Sequence, residues 1–220
     1  MTEKINEVIA ALQKNNIDAV FAPTKEDVKN IVKEILPKGC NIAAGGSVSV
    51  VECGVWDMIK SDDYRFMDRN REGITPDERL DVFRKTVGCD YYFCSANAIT
   101  EKGELINVDG FGNRVASIAF GPEKIIAVVG VNKIVKDVAE GLLRVKRIAA
   151  PKNAVRLKID LPCAKLGHCI ALEKCDNPDF TAGCNHERRI CASYLISGRQ
   201  QKKGRSIKND SIALAAAFWR

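Results

Sequence analysis

From Ile17 to about Lys158 the chain alternates short apolar runs with longer stretches of helical period, and nothing else in it limits the fold as strongly. The runs "IDAVFA" (17–22), "CNIAA" (40–44), "YRFM" (64–67), "DYYFCS" (90–95) and "KIIAVVG" (124–130) read as strands separated by helices. Strands joined through helices run parallel, so the expected fold class is α/β: a mostly parallel sheet flanked by helices on both faces. "AITEKGELINV" (98–108), turning at Lys102 and Gly103, adds a β-hairpin insertion.

The helix boundaries carry their own chemistry. Ile5, Val8, Ile9 and Leu12 form one apolar stripe; Thr24 can cap a second, made of Val28, Ile31, Val32 and Ile35. "GGS" (45–47) opens a helix expected to run through Ile59. Thr75, Pro76 and Glu78 supply an N-cap, a first-position proline and a capping-box acid for a helix ending near Gly88. Asp137 and Glu140 box another, with Val138, Leu142, Val145 and Ala149 on one face, and Pro151 is expected to close it. Beyond 158 the periodicity stops. Residues 1–158 are therefore taken as the α/β core domain, and 159–220 as an irregular Cys-rich extension packed on it.

Composition removes several classes of function. At 46% hydrophobic and 28% charged the chain is globular. It has no apolar run long enough to span a bilayer, and "MTEKINEVIAALQKNN" mixes charge with helical spacing, unlike an export signal, so a cytoplasmic protein with no membrane partner is expected. The net charge of +6 is spread thinly outside "GRQQKKGR" (198–205), which argues against nucleic acid as a partner.

Nine cysteines in a chain without an export signal do not suggest a disulfide framework. Cys40, Cys53, Cys89 and Cys94 sit in apolar stretches as small hydrophobes. Cys163, Cys169, Cys175, Cys184 and Cys191 crowd together further on, and four thiolates suit zinc or an iron–sulfur cluster. Cys163, Cys169, Cys175 and Cys191 are the candidate ligands, with Cys184, His168 or His186 as substitutes. No C-x-x-C pair is present, and free thiols are the competing reading.

Two glycine corners are candidate binding sites. Gly45, Gly46 and Ser47 join a strand to a helix start, where the backbone can approach an anion closely; a plain tight turn is the alternative. "NVDGFGNR" (107–114) brings together Asp109, Gly110, Gly112, Asn113 and Arg114. Asn113 can cap the helix that follows, while Arg114 at its positive end gains nothing from the dipole and must face either Asp109 or a bound anion. Asn97 and Ser47 complete the candidate anion site, and Glu52 and Asp109 are the candidate catalytic carboxylates. No dinucleotide fingerprint or Walker sequence occurs.

The stretches "AAGGSVSVVECG" (43–54), "NAITEKGELINVDGFGNRVASIAFGPEKIIAVVGVNKIVKDV" (97–138), "AAPKNAVRL" (149–157), "PCAKLGHC" (162–169) and "RRIC" (188–191) resemble the LUD-domain, or lactate-utilisation, family. The resemblance covers residues 1 to about 191. It implies a fold like that of CoA transferases and ribose-phosphate isomerases, and association with an operon that oxidises L-lactate to pyruvate through iron–sulfur subunits. It fixes no catalytic residue. The chain departs from the family pattern in the wide spacing after Cys169, the extra Cys184, and a tail, "SIKNDSIALAAAFWR" (206–220), unlike the family's closing strand.

Three functions fit this reading. The first is a redox accessory or partner in lactate oxidation, with a pocket for a small anionic metabolite and iron–sulfur subunits as partners. The second is an isomerase or acyl/CoA-transfer enzyme; the third is a non-catalytic metabolite-binding module. The sequence leaves room for a homo-oligomer.

Overall fold

The computed structural model describes residues 2–201 and the strand 213–217. In chain order the elements are α1 (Thr2–Lys14), β1 (Asp18–Ala22), α2 (Lys25–Ile35), β2 (Asn41–Ala44), α3 (Val48–Glu52), α4 (Val55–Ile59), β3 (Arg65–Phe66), α5 (Pro76–Lys85), β4 (Tyr91–Cys94), β5 (Ala98–Thr100) and β6 (Leu105–Asp109). There follow α6 (Asn113–Ala119), β7 (Lys124–Ala127), β8 (Ile134–Val135), α7 (Val138–Arg144), α8 (Ala150–Arg156), α9 (Pro162–Leu166), β9 (Ser193–Ser197) and β10 (Ala213–Ala217).

The architecture is α/β. Six parallel strands form the main sheet in the order β1-β10-β7-β4-β2-β3. Alternate residues of its strands feed two cores: Ala43, Tyr92 and Ile125 pack with Ile5, Val8 and Leu12 of α1, while Ile42, Phe93 and Ile126 pack with Val28 and Val32 of α2. Burial on both faces is what strands this uniformly apolar require. The caps form as the sequence implies. Thr24 Oγ1 accepts from the Asp27 N–H at 3.1 Å and the Thr24 N–H donates to the Asp27 carboxylate at 3.0 Å; Thr75 and Glu78 exchange the same pair. The hairpin β5–β6 builds a second sheet, ordered β8-β5-β6-β9.

Three local expectations are corrected. The helix after "GGS" does not run unbroken to Ile59: Gly54 adopts a left-handed φ of +67° and divides it into α3 and α4. Pro151 does not close its helix. A proline lacks an N–H and its ring crowds the carbonyl four residues back, and here the turn Val145–Ala149 widens to π geometry, the Ala150 N–H reaching the Val145 carbonyl, so the helix continues to Arg156. The tail, expected to lack a closing strand, supplies β10 between β1 and β7, and residues 193–197 add β9 to the hairpin sheet.

Among the described residues, no helix is long and apolar enough to cross a membrane.

Candidate functional site

From β2 the chain moves outward to β3, then returns past β2 to β4 and continues to β7. The carboxyl ends of β2 and β4 therefore mark the point where the winding reverses, and open α/β sheets hold ligands in that crevice. Here it is a cavity of about 620 Å³. The turn after β2 contributes Gly46 and Ser47 and the α3 that follows contributes Ser49, the turn after β4 contributes Ser95 and Asn97, and the turn after β7 contributes Gly130, Asn132 and Lys133. Arg144, Lys152 and Arg156 of the α7–α8 helix form the facing wall. A neighbouring cleft of about 600 Å³ shares Gly46, Asp109, Arg114 and Arg156 and adds Arg69, Arg79, Arg188 and Arg189.

Arg114 sits at the base of this crevice with all five N–H donors used. Nε donates to Asp109 Oδ1 at 3.0 Å, Nη1 to the Ser95 carbonyl at 3.0 Å and Asn107 Oδ1 at 2.5 Å, and Nη2 to Asn97 Oδ1 at 2.9 Å and the Val108 carbonyl at 2.8 Å. Of the two partners open at this corner, Asp109 is the acid Arg114 faces, and its remaining donors go to Asn107 and Val108 of β6 and to Ser95 and Asn97 of the turn after β4. Asp109 also accepts from the Val115 N–H at 2.9 Å and so caps α6. Asn113 was expected at that cap; Gly112, at φ +86°, occupies the cap position and Asn113 begins the helix proper.

The first glycine corner is built tightly. A Cβ on Gly45 would lie 2.9 Å from Arg114 Cδ and from Tyr92 Oη, and one on Gly46 would stand 3.1 Å from a terminal nitrogen of Arg156 and 3.4 Å from one of Arg69. Gly46 thus keeps two guanidinium groups close to the backbone. Ser47 caps α3 by accepting from the Val50 N–H at 3.2 Å. That helix has only five residues, so its dipole is weak and the cleft's positive character comes from side chains. Glu52 lines the cavity near its rim, paired with Lys25 at 3.3 Å.

The sequence reading did not single out Lys133. Its ammonium donates to Ser95 Oγ at 2.7 Å and Ser49 Oγ at 3.3 Å, and it makes no ion pair with a carboxylate among the described residues. Burial, and then the charges of Arg144 and Arg114, push its pKa down to about 8. The available signal was position: Ser95 and Lys133 each follow a central strand, where α/β folds place their chemistry. Arg69, Arg144 and Arg156 were missed as well. Arg69 is held by the Ala44 carbonyl at 2.7 Å and lies over the Phe83 ring, Arg144 is held by the Asn97 and Asn132 carbonyls, and Arg156 by Asn153.

The family model of the LUD domain matches residues 5–207. The chain belongs to the LUD domain family. Membership connects this LUD domain, in general terms, with lactate utilisation. Among solved structures it is similar to a DUF162 family protein from Deinococcus radiodurans, at 12% identity over 98% of this chain and 97% of that one, with a TM-score of 0.47. No curated protein matches it.

The cysteines of this LUD domain fall into two groups. Cys40, Cys53, Cys89 and Cys94 are buried, and burial pushes the thiols of Cys53, Cys89 and Cys94 up to about 12, which keeps them unreactive. Cys163, Cys169, Cys184 and Cys191 line one small cavity, whereas Cys175, named with the candidate ligands, is exposed and lies outside it. His168 stands 3.8 Å from Glu173, and His186 Nδ1 accepts from the Arg188 N–H at 3.0 Å; neither lines that cavity. Among the described residues, no three His, Cys, Asp or Glu side chains stand drawn in on a single ion.

Proposed function

We propose that this LUD domain serves lactate utilisation by holding a small carboxylate- or phosphate-bearing metabolite in the crevice at the ends of β2, β4 and β7, as a cytoplasmic accessory to iron–sulfur lactate-oxidation subunits. The observation that carries the reading is Lys133, a cation at the base of the cleft whose polar contacts are two serine hydroxyls. Arg144, Lys152 and Arg156 stand around the same space. A charge-assisted hydrogen bond contributes about 1.5 to 3 kcal/mol, so two or three of them reach the roughly 4 kcal/mol of millimolar binding. Calorimetric titration with L-lactate, pyruvate, oxalate and inorganic phosphate tests this. Saturable binding of at least one, lost in Lys133→Met, is expected; no binding, or equal binding in the variant, would sink the reading.

A second reading, an isomerase or acyl/CoA-transfer enzyme on the same class of metabolite, draws support from the depressed Lys133 pKa. An amine with a pKa of about 8 is partly neutral near physiological pH and can act as base or nucleophile. This moves the reactive group away from the carboxylates the sequence pointed to, since Asp109 is engaged by Arg114 and Val115 and Glu52 pairs with Lys25. Turnover of a thioester or sugar phosphate that disappears in Lys133→Arg is its expected mark. Binding with no turnover would leave a non-catalytic metabolite-binding module.

A further inference from the structure

Four of the five cysteines in the stretch 163–191 share one cavity. Cys163 lies in α9, Cys169 follows it, and Cys184 and Cys191 come from the loop ahead of β9. They surround a space of about 20 Å³ against Val145, Lys146 and Ala150 of the α7–α8 helix. Ile148, Ala149 and Lys152 of that helix line the anion cleft instead.

The polar groups around this cavity are matched to a negative charge that neutral thiols do not carry. Lys146 is 1% exposed, and among the described residues its ammonium donates only to the carbonyls of Phe180 and Ala182. Arg189 Nε donates to Cys191 Sγ at 3.2 Å, and its Nη2 to the Thr181 carbonyl at 3.0 Å. Neither cation forms a close ion pair with a carboxylate among the described residues, although the charge of Lys146 is felt by Asp179. The Tyr194 hydroxyl is the one buried side-chain polar atom among the described residues without a hydrogen-bond partner, and it lies beside Cys191. A cation taken out of water as Lys146 is, with no anion in direct contact, is unfavourable, and a buried hydroxyl seeks an acceptor; Arg189 is only partly buried.

We propose that Cys163, Cys169, Cys184 and Cys191 form a four-thiolate centre for a soft metal core of charge 2+, a zinc-type ion or an iron–sulfur core. Four thiolates and such a core sum to two negative charges, which Lys146 and Arg189 offset, and a thiolate on Cys191 gives both Arg189 and Tyr194 the acceptor they face. Each sulfur releases its proton to water as it binds, and no electrons move when a zinc ion, or an iron–sulfur core already assembled at charge 2+, is taken up. The thiols are not drawn in on one point as they stand, so the cage closes as the metal enters. The space has room for roughly one water-sized sphere, which favours the single ion.

The test is metal and acid-labile sulfide content of the full chain, purified without oxygen and also reloaded with zinc or, by thiol exchange, with a preassembled thiolate-ligated iron–sulfur core of charge 2+. Bound metal that is lost in Cys184→Ser and retained in Cys175→Ser is expected, with zinc or iron plus sulfide distinguishing the two cores. Arg189→Gln should weaken retention against a chelator by about 10-fold, as changes beside metal ligands do. In case Cys184→Ser does not fold, alkylation of the wild-type chain mapped by mass spectrometry gives a second readout: the four thiols should be protected until a chelator is added, while Cys175 reacts throughout. A chain that takes up neither metal, that loses metal equally in Cys175→Ser, or whose four thiols react alike with and without chelator overturns the centre.

Discussion

The Lys133 ammonium lies 2.7 Å from Ser95 Oγ, joining the residues that follow two adjacent strands, β7 and β4, beneath the cleft. A lysine held this way keeps a buried positive charge that folding alone does not favour.

That charge gives stability a distinct pH dependence. The pKa falls from an ordinary 10.5 to about 8 on folding, so between those values the unfolded chain binds more protons than the folded one. Stability from this group therefore rises as pH increases through 8 to 10.5, by on the order of 3 kcal/mol, and below 8 the full penalty of burial is present. The wild-type minus Lys133→Met difference in unfolding free energy should shift across that window. A difference that stays flat with pH would contradict the buried charge.

Anion affinity should run in the opposite direction. Only protonated Lys133 attracts an anion, so binding of oxalate or phosphate is expected to weaken as pH passes about 8 in the wild type. Lys133→Arg should keep its affinity through pH 9. Titrations at pH 7 and 9 measure both.

Arg114 predicts a stability defect. Its planar fork reaches five acceptors from Ser95 to Asp109, which the three donors of a lysine cannot reproduce. Arg114→Lys should therefore destabilise the fold by on the order of 3 kcal/mol, seen as a lower urea midpoint at unchanged slope. A change within about 0.5 kcal/mol, the range of ordinary surface substitutions, would show that the network contributes little.

Three glycines of the two corners should respond differently. A Cβ on Gly110 would lie 2.8 Å from the Arg189 carbonyl oxygen and from Ile190 Cα, both backbone, so Gly110→Ala is expected to cost about 1 to 3 kcal/mol. Gly112→Ala meets only the Ser193 hydroxyl, at an ordinary contact of 3.8 Å, and the strain of its positive φ, about 1 kcal/mol. Gly46→Ala presses on the movable ends of Arg156 and Arg69, so thermal unfolding should barely change while oxalate affinity falls. Thermal melts and titrations of the three variants establish the order.

The main sheet was legible because its strands are continuous apolar runs and its helices carry caps such as Thr24–Asp27 and Thr75–Glu78 that form locally. β10 was not legible: it is rich in alanine, a residue depleted in strands, and it exists by pairing with β1 and β7, which lie far away in sequence. The corner at 107–114 was legible as a junction, but not the saturation of Arg114, which depends on Ser95 and Asn97 from another turn. Lys133 was hidden for the same reason. A lone lysine after a strand reads as solvated until the fold brings Ser49 and Ser95 against it. Among the cysteines, Cys175 was named a ligand and Cys184 only a substitute, whereas folding of the intervening loop brings Cys184 to the cavity.

The position of β10 also bears on how the chain is made. Among the described strands β1 is synthesised first and β10 last, yet β1 joins the main sheet only through β10. A nascent chain on the ribosome can assemble β2, β3, β4 and β7 early, but β1 has to wait, with one edge unsatisfied, until residues 213–217 emerge. Synthesis halted just short of them leaves an open slot bordered by two parallel edges, a surface that chaperones and proteases can recognise.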